Sequence, residues 1–237
     1  MDRVKTGIEG LDQLIQGGIP EGSSVLVAGG SGTGKTIFAT QYIYNGGKLY
    51  GEPGIYVSIE TNLKNIIWNM QSFNWDVREL QEKNLMKTYR LNLGQTKKRE
   101  SVEDRIDEEL NVISQMVKEL GAKRLVIDSV SAFGVWFENA GLVRSLLFQF
   151  VDRLKNLDCT TLLTTETTGE KMKFSAFGVE EFVADSVIAL YFTPPHRSIF
   201  VKKMRGTDHS KTIHPFEINE KGLTINATDR VLWESIK

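Results

Sequence analysis

A glycine-rich loop set between a short apolar strand and a helix constrains this chain more than any other feature. Ser23-Ser24-Val25-Leu26-Val27-Ala28 is bounded by Gly22 and Gly29, the form of a fully buried strand. Gly29-Gly30-Ser31-Gly32-Thr33-Gly34-Lys35-Thr36 follows, and Thr36 to Tyr50 then carries Phe38, Tyr42, Ile43 and Leu49 on one face of a predicted helix, with Gly46-Gly47 a weak point near its end. The loop fills every fixed position of the G-x-x-x-x-G-K-[ST] phosphate-binding pattern in the strand-then-helix setting that the pattern requires. A polyphosphate needs several backbone N–H groups turned inward, and glycines permit that tight path. Gly29, Gly30, Ser31, Gly32, Thr33 and Gly34 are the predicted cradle, Lys35 the cation for the β- and γ-phosphates, and the Thr36 hydroxyl a ligand to Mg²⁺ at a helix start that itself favours anions.

The same alternation recurs downstream. Strands are predicted at Gly54 to Glu60, Leu85 to Leu91, Arg124 to Asp128 and Thr160 to Thr165, and helices at Asn62 to Phe73, Val102 to Leu120 and Leu142 to Leu157. Strands separated by helix-length segments pair in parallel, because parallel neighbours need a crossover. After Gly178 the rhythm changes to closely spaced runs, Ser186 to Phe192, Ser198 to Met204 and Ile213 to Ile218, broken by Pro194-Pro195 and Lys221-Gly222. The expected fold is α/β: a mostly parallel sheet with helices on both faces and a C-terminal antiparallel extension, one domain over 1–237. Thr96-Lys97-Lys98-Arg99-Glu100 reads as a polar loop.

Composition narrows the function classes. With 29 basic and 30 acidic residues the net charge is −1, so any nucleic-acid contact must come from a local patch rather than from the whole surface. The single cysteine, Cys159, excludes an internal disulfide and a cysteine-built metal site, and beside Thr160-Thr161-Leu162-Leu163 it reads as a buried thiol. Met1 to Lys5 has no apolar signal core, and no run reaches membrane-spanning length free of charge, so a cytoplasmic protein without membrane partners is expected.

Two carboxylates extend the phosphate loop. Lys123-Arg124-Leu125-Val126-Ile127-Asp128 is a strand ending in an acid, the form of a Walker-B segment in which Asp128 helps to hold Mg²⁺. The interval from Thr36 to Asp128 leaves room for two further strands, and Glu60, closing Ile55-Tyr56-Val57-Ser58-Ile59, is the candidate base for the attacking water; its alternative is a cap on the next helix. Glu166 ends Leu162-Leu163-Thr164-Thr165 in the same way, as a γ-phosphate sensor or a structural hydrogen-bond partner. A GTP-reading N-K-x-D motif is absent; Lys155-Asn156-Leu157-Asp158 has the wrong order.

Four further segments carry a resemblance. Thr6-Gly7-Ile8-Glu9-Gly10-Leu11-Asp12 with Gly17-Gly18-Ile19-Pro20-Glu21-Gly22, Gly178-Val179-Glu180-Glu181-Phe182-Val183-Ala184-Asp185, Lys203-Met204-Arg205-Gly206-Thr207-Asp208-His209 and Pro215-Phe216-Glu217-Ile218 resemble the RecA superfamily, specifically its KaiC-like branch. The resemblance implies ATP with Mg²⁺ as cofactors, ATP hydrolysis, and a homo-oligomer, a hexamer or another closed form, with nucleotide between subunits. It implies that Lys203 and Arg205 reach a neighbour's γ-phosphate, and that His209 and Glu220 match positions that approach it. The chain departs from the double-domain clock proteins in having one phosphate loop, so a circadian role does not follow. Glu60 is followed by Thr61 where those proteins have paired acids, and the implied hydrolysis is slow.

A second resemblance, to archaeal RadA paralogues, implies single-stranded DNA and a recombinase as partners, with the chain an accessory or regulator of recombination. The corresponding loops are Ser131-Ala132-Phe133-Gly134-Val135-Trp136-Phe137 and Thr167-Thr168-Gly169-Glu170-Lys171-Met172-Lys173-Phe174, where aromatics could stack on bases and Lys171 and Lys173 meet phosphates. For Phe133, Trp136 and Phe137 the reading as core or interface residues is slightly favoured. The alternative function is a signalling or phosphotransfer regulator without DNA binding, for which the sequence identifies no acceptor group.

Overall fold

Why the central strands are apolar at every position is plain once both faces of the sheet are seen to be covered. The computed structural model describes residues 2–91, 102–136, 139–167, 173–232 and 234, without the side chains of Val102, Val135 and Trp136. β1 (Arg3–Val4) and β2 (Ile19–Pro20) form a small antiparallel ribbon enclosing α1 (Leu11–Leu14). β3 (Ser24–Gly29) leads into α2 (Lys35–Tyr50), followed by β4 (Gly54–Ser58), α3 (Leu63–Gln71), α4 (Val77–Glu82), β5 (Met86–Arg90), α5 (Val102–Leu120) and β6 (Arg124–Asp128). α6 (Phe133–Trp136), α7 (Ala140–Lys155), β7 (Thr160–Glu166), α8 (Glu180–Val183), β8 (Ser186–Thr193), β9 (His196–Met204), β10 (Ile213–Asn219) and β11 (Gly222–Ile225) complete the chain.

Among the described residues the sheet has nine strands in the order β11-β10-β9-β8-β3-β7-β6-β4-β5. From β8 to β5 the pairing is parallel, and from β8 to β11 it is antiparallel, as the change of rhythm after Gly178 predicts. Successive strand residues serve opposite faces. Val25, Val27, Tyr56, Val126 and Leu162 pack beneath Phe38, Tyr42 and Ile43 of α2 and Ile66 and Met70 of α3. Leu26, Ala28, Val57, Ile127 and Leu163 pack on the other face, against Ile106 and Ile113 of α5 and Leu147 and Phe150 of α7. Each fully buried Leu, Ile or Phe contributes roughly 1.5–3 kcal/mol, so the two layers hold the strand ends rigidly. Among the described residues no helix is long and apolar enough to cross a membrane.

Most predicted bounds move by one or two residues; α4, α8, β11 and the N-terminal ribbon add elements that the periodicity does not reveal. Gly46-Gly47 is not a break. α2 runs on to Tyr50, and a Cβ on Gly46 would lie 2.4 Å from the Arg124 side chain. Arg124 is fully buried there, donating to Glu52 Oε2 at 2.7 Å, Tyr42 O at 3.0 Å and Lys5 O at 2.7 Å. Cys159 is buried, and burial pushes its thiol up to about 11. The polar loop at 96–100 lies outside the described residues.

Candidate nucleotide site

The glycine loop joins the C-terminal end of β3 to the first turn of α2, so the site sits where a parallel sheet opens. Gly34 caps the helix in the left-handed region at φ 105°, which a side chain would strain. Lys35 is 9% exposed and folds back over the loop, its Nζ donating to Gly30 O at 2.8 Å and lying 3.7 Å from Glu166 Oε1. Burial holds its ammonium below the ordinary lysine range, partly offset by the negative charges of Glu166, Asp128 and Glu60.

The Thr36 hydroxyl donates to Asp128 Oδ2 at 3.0 Å, bringing together two groups that are far apart in sequence. Asp128 has two further donors that no motif foretells: Tyr56 OH on Oδ2 and Thr164 Oγ1 on Oδ1, both in short hydrogen bonds. They come from β4 and β7, the two strands flanking β6. Burial, followed by the Asp128 charge, raises the Tyr56 hydroxyl far above its ordinary pKa, so it stays a donor. The legible signs are a tyrosine amid the apolar residues of β4 and one of four threonines in β7, where a buried polar tip must find a partner. Replacing Tyr56 by phenylalanine is expected to lower stability by roughly 1.5–3 kcal/mol, the usual range for a hydrogen bond to a charged group. Urea unfolding of the two proteins measures this; an unchanged midpoint would mean that Thr36 and Thr164 suffice.

Glu60 stands two residues beyond β4, exposed at the mouth of the cleft. Partial loss of solvent raises its pKa above the ordinary glutamate value, and the negative charges of Glu166 and Asp128 raise it further. Asn62, not Glu60, caps α3, its side chain accepting from Lys64 N at 3.0 Å. The capping alternative for Glu60 is thereby replaced by a neighbouring residue. The cleft, about 470 Å³, is lined by Lys35, Thr36, Glu60, Asp128, Glu166 and Arg197, with Ser72 and Phe73 closing one side. Arg197 is a third unforeseen member: its Nη2 donates to Gly32 O at 3.1 Å, and its guanidinium lies 3.9 Å from the Phe192 ring centroid.

The family model described as the KaiC ATPase matches residues 4–230. The chain belongs to the KaiC ATPase family. A UPF0273 protein of Pyrococcus horikoshii is 39% identical over 97% of this chain and 96% of its own length. The circadian clock oscillator protein KaiC of Parathermosynechococcus lividus is 39% identical over 93% of this chain, which spans 42% of that longer protein. The solved structure of a KaiC-like protein from Pyrococcus horikoshii superposes with a TM-score of 0.84 at 38% identity, covering 95% of this chain and 99% of that one.

The remaining predicted residues of this KaiC-family chain fall elsewhere. Lys203 and Arg205 lie at the end of β9 that pairs with the start of β8, whose first residue pairs with the start of β3. They therefore occupy the opposite edge from the chain's own loop, a β3 length of roughly 17 Å away at 3.3 Å per residue. Lys203 Nζ donates to Ala184 O at 2.7 Å; burial, then the charge of Arg205, lowers its pKa. Arg205 pairs with Asp185 Oδ1 at 3.2 Å, its side chain 65% exposed. His209 lies on that same edge, its Nδ1 2.8 Å from Ser210 O, whereas Glu220 is exposed in the turn between β10 and β11.

The DNA-contact assignment is corrected at two positions. Phe133 is fully buried, edge-on to Phe150, and Phe174 is 1% exposed, so neither offers a base a stacking face. They belong to the core beneath α7. Lys173 is exposed; Phe137 and Lys171, and the side chain of Trp136, lie outside the described residues.

Proposed function

We propose that the chain, as one domain over 1–237, binds Mg²⁺·ATP in the cleft at Gly29–Thr36 and hydrolyses it slowly between subunits of a homo-oligomer. The observation that carries this reading is the polarity of the sheet: phosphate loop, Asp128 and Glu60 at one edge, Lys203 and Arg205 at the other. Neither basic side chain reaches its own cleft, whereas head-to-tail packing of identical chains brings them to the next one.

In this reading the N–H groups of the glycine loop and the start of α2 hold the phosphates, and Lys35 leaves Gly30 O and Glu166 for the β- and γ-oxygens. Thr36 Oγ1 and Asp128 Oδ2 are hard oxygen donors at 3.0 Å from each other, a set that suits Mg²⁺, which takes one or two protein oxygens and completes its shell with phosphate and water. The bound ion would neutralise charge on the transferring phosphoryl group. Glu60 orients and deprotonates the attacking water, and the partner copy's basic pair stabilises the charge that develops. Removing the Lys35 ammonium by Lys35→Ala is expected to weaken ATP binding at least tenfold and to abolish hydrolysis; equilibrium dialysis with labelled ATP and phosphate release measure both. Unchanged values would remove the nucleotide reading.

The recombination reading, with single-stranded DNA and a recombinase as partners, loses Phe133 and Phe174 as base platforms. Self-association and nucleotide turnover therefore form the core of the proposal.

A further inference from the structure

The turn that carries Arg205 is held from outside by a side chain that belongs to no motif. Met204 to Thr207 closes on a hydrogen bond from Thr207 N to Met204 O at 3.2 Å, with Gly206 in the left-handed region at φ 68°. Arg205 is the second residue of that turn, and its N–H donates to Asp185 O at 3.3 Å. Arg3, the first residue of β1, meets the turn from the other side. Its Nη1 donates to Thr207 Oγ1 at 3.0 Å, and also to Gly18 O at 2.9 Å and Ile15 O at 3.2 Å. Longer contacts run from Nη2 to Gln16 Oε1 at 3.4 Å and to Gly206 O at 3.5 Å. The N-terminal ribbon and the turn share one edge of the sheet: β2 leads into the start of β3, whose Ser24 O accepts from Asp185 N at 3.0 Å. One planar guanidinium therefore ties together two segments that lie 204 residues apart in the chain.

Gln16 completes the clamp. Its backbone holds φ 55°, a left-handed conformation that side chains rarely adopt. Its Oε1 accepts from Asp208 N at 3.2 Å as well as from Arg3, and two residues earlier Leu14 O accepts from Ser210 N at 2.8 Å. Glycine would fit this backbone with less strain, as it does at the next two positions, where φ is 95° and 143°. What glutamine adds is the amide oxygen that meets the turn, and a strained residue of this kind points to function. The backbone from Met204 to Ser210 is thus anchored to Asp185 on one side and to the ribbon on the other, while the Arg205 side chain stays largely exposed.

We infer that Arg3 and Gln16 are positioning residues for ATP hydrolysis, holding the backbone from Met204 to Asp208 in the geometry from which Arg205 reaches the nucleotide of the next copy. The inference rests on the arrangement between subunits proposed above. In that arrangement the Arg205 side chain leaves Asp185 and swings to the phosphate, so its side-chain tie to its own subunit is lost at the moment when its placement matters most. Misplacing a group that meets transition-state charge by about 1 Å costs on the order of 10²-fold in rate. The Arg3 clamp grips the turn through Thr207 and Gly206 and does not depend on Asp185, so it survives the swing. Arginine suits this task because its donors form a rigid fork that several oxygens can share, whereas lysine offers a point charge on a flexible stem.

Steady-state phosphate release with Mg²⁺ and ATP tests this. Arg3→Ala is expected to lower kcat roughly 10- to 100-fold with KM for ATP within a fewfold, because the chain's own phosphate loop is untouched. Gln16→Gly should lower kcat in the same direction while melting close to wild type, since glycine suits the left-handed backbone; it decides the matter if Arg3→Ala does not fold. Adding Arg3→Ala to Arg205→Ala should cost nothing further, the coupling expected of two groups that act as one. Arg3→Ala chains mixed with Lys35→Ala chains under subunit exchange should regain activity, because the Lys35→Ala chain brings an intact turn to its neighbour's cleft. A folding defect is not repaired in this way. Unchanged kcat, a loss confined to KM, or a further loss on the Arg205→Ala background overturns the inference and leaves the ATPase reading standing. So does a silent mixture where Arg205→Ala and Lys35→Ala complement each other. Wild-type hydrolysis by Arg205→Ala overturns both this inference and the arrangement between subunits.

Discussion

Arg205→Ala is expected to slow ATP hydrolysis by roughly 10³-fold or more, the range for loss of an arginine that meets transition-state charge, while leaving ATP affinity within a fewfold. The split follows from position. Among the described residues Arg205 makes no contact in its own cleft and its ion pair is with Asp185, which is tied by Ser24 N and Oγ to the start of β3. The proposed phosphate loop is therefore expected to stay intact in the variant, with the loss felt by the copy next to it. A mixing experiment makes this specific. Arg205→Ala chains keep a working cleft and Lys35→Ala chains keep working arginines, so combining two inactive preparations under subunit exchange should restore phosphate release. No recovery, with exchange verified by light scattering of tagged chains, would show that Arg205 acts within its own chain or not at all. Asp185 also receives Lys155 Nζ at 3.1 Å, which together with Ser24 holds its carboxyl below the ordinary aspartate range. The anion that parks Arg205 thus stays charged, and under the proposed assembly Arg205 would exchange that carboxylate for a phosphate.

Much of this was legible because strand ends are where local pattern and function coincide. Asp128 and Glu60 each close an apolar run, and the sheet places both beside the loop after β3 without further information. The finger role proposed for Lys203 and Arg205 rests on resemblance alone, since a Lys-x-Arg at the end of a strand is otherwise ordinary solvated charge. What escaped is what depends on pairing between distant strands. Tyr56 and Thr164 are unremarkable until β4, β6 and β7 lie side by side and Asp128 stands between their hydroxyls. Arg124 was counted into an apolar strand, yet it is fully buried with three hydrogen-bond acceptors, and the glycine at 46 exists to admit it. Phe133 and Phe174 show why the DNA-stacking alternative fails. Their neighbours in sequence are loop-like, but the aromatic rings turn under α7, and burial is not encoded in a run of seven residues.

Glu60→Gln should reduce kcat by roughly 10²- to 10⁴-fold, the contribution expected of a positioned general base, and its pH behaviour distinguishes that role from mere cleft lining. In the wild-type protein the Glu60 pKa is raised by partial burial, then by Glu166 and Asp128. The base form exists only above that raised value, so log kcat/KM should fall as pH drops through it, at a higher pH than an ordinary glutamate would give. Because kcat/KM reports the free enzyme, Mg²⁺ and nucleotide do not mask the shift. Glu60→Gln should flatten this limb of the profile. Stability carries the opposite sign. A carboxyl whose folded pKa is raised costs stability above that pKa, and the cost vanishes below its unfolded pKa. The glutamine variant should therefore melt at or above the wild-type temperature at neutral pH, with the difference closing in acid. An equal loss of activity accompanied by a lower melting temperature at neutral pH would mean that Glu60 supports structure instead of chemistry. Retained activity with the acid limb intact would pass the role of base to Glu166, which shares the cleft and lies 3.7 Å from Lys35.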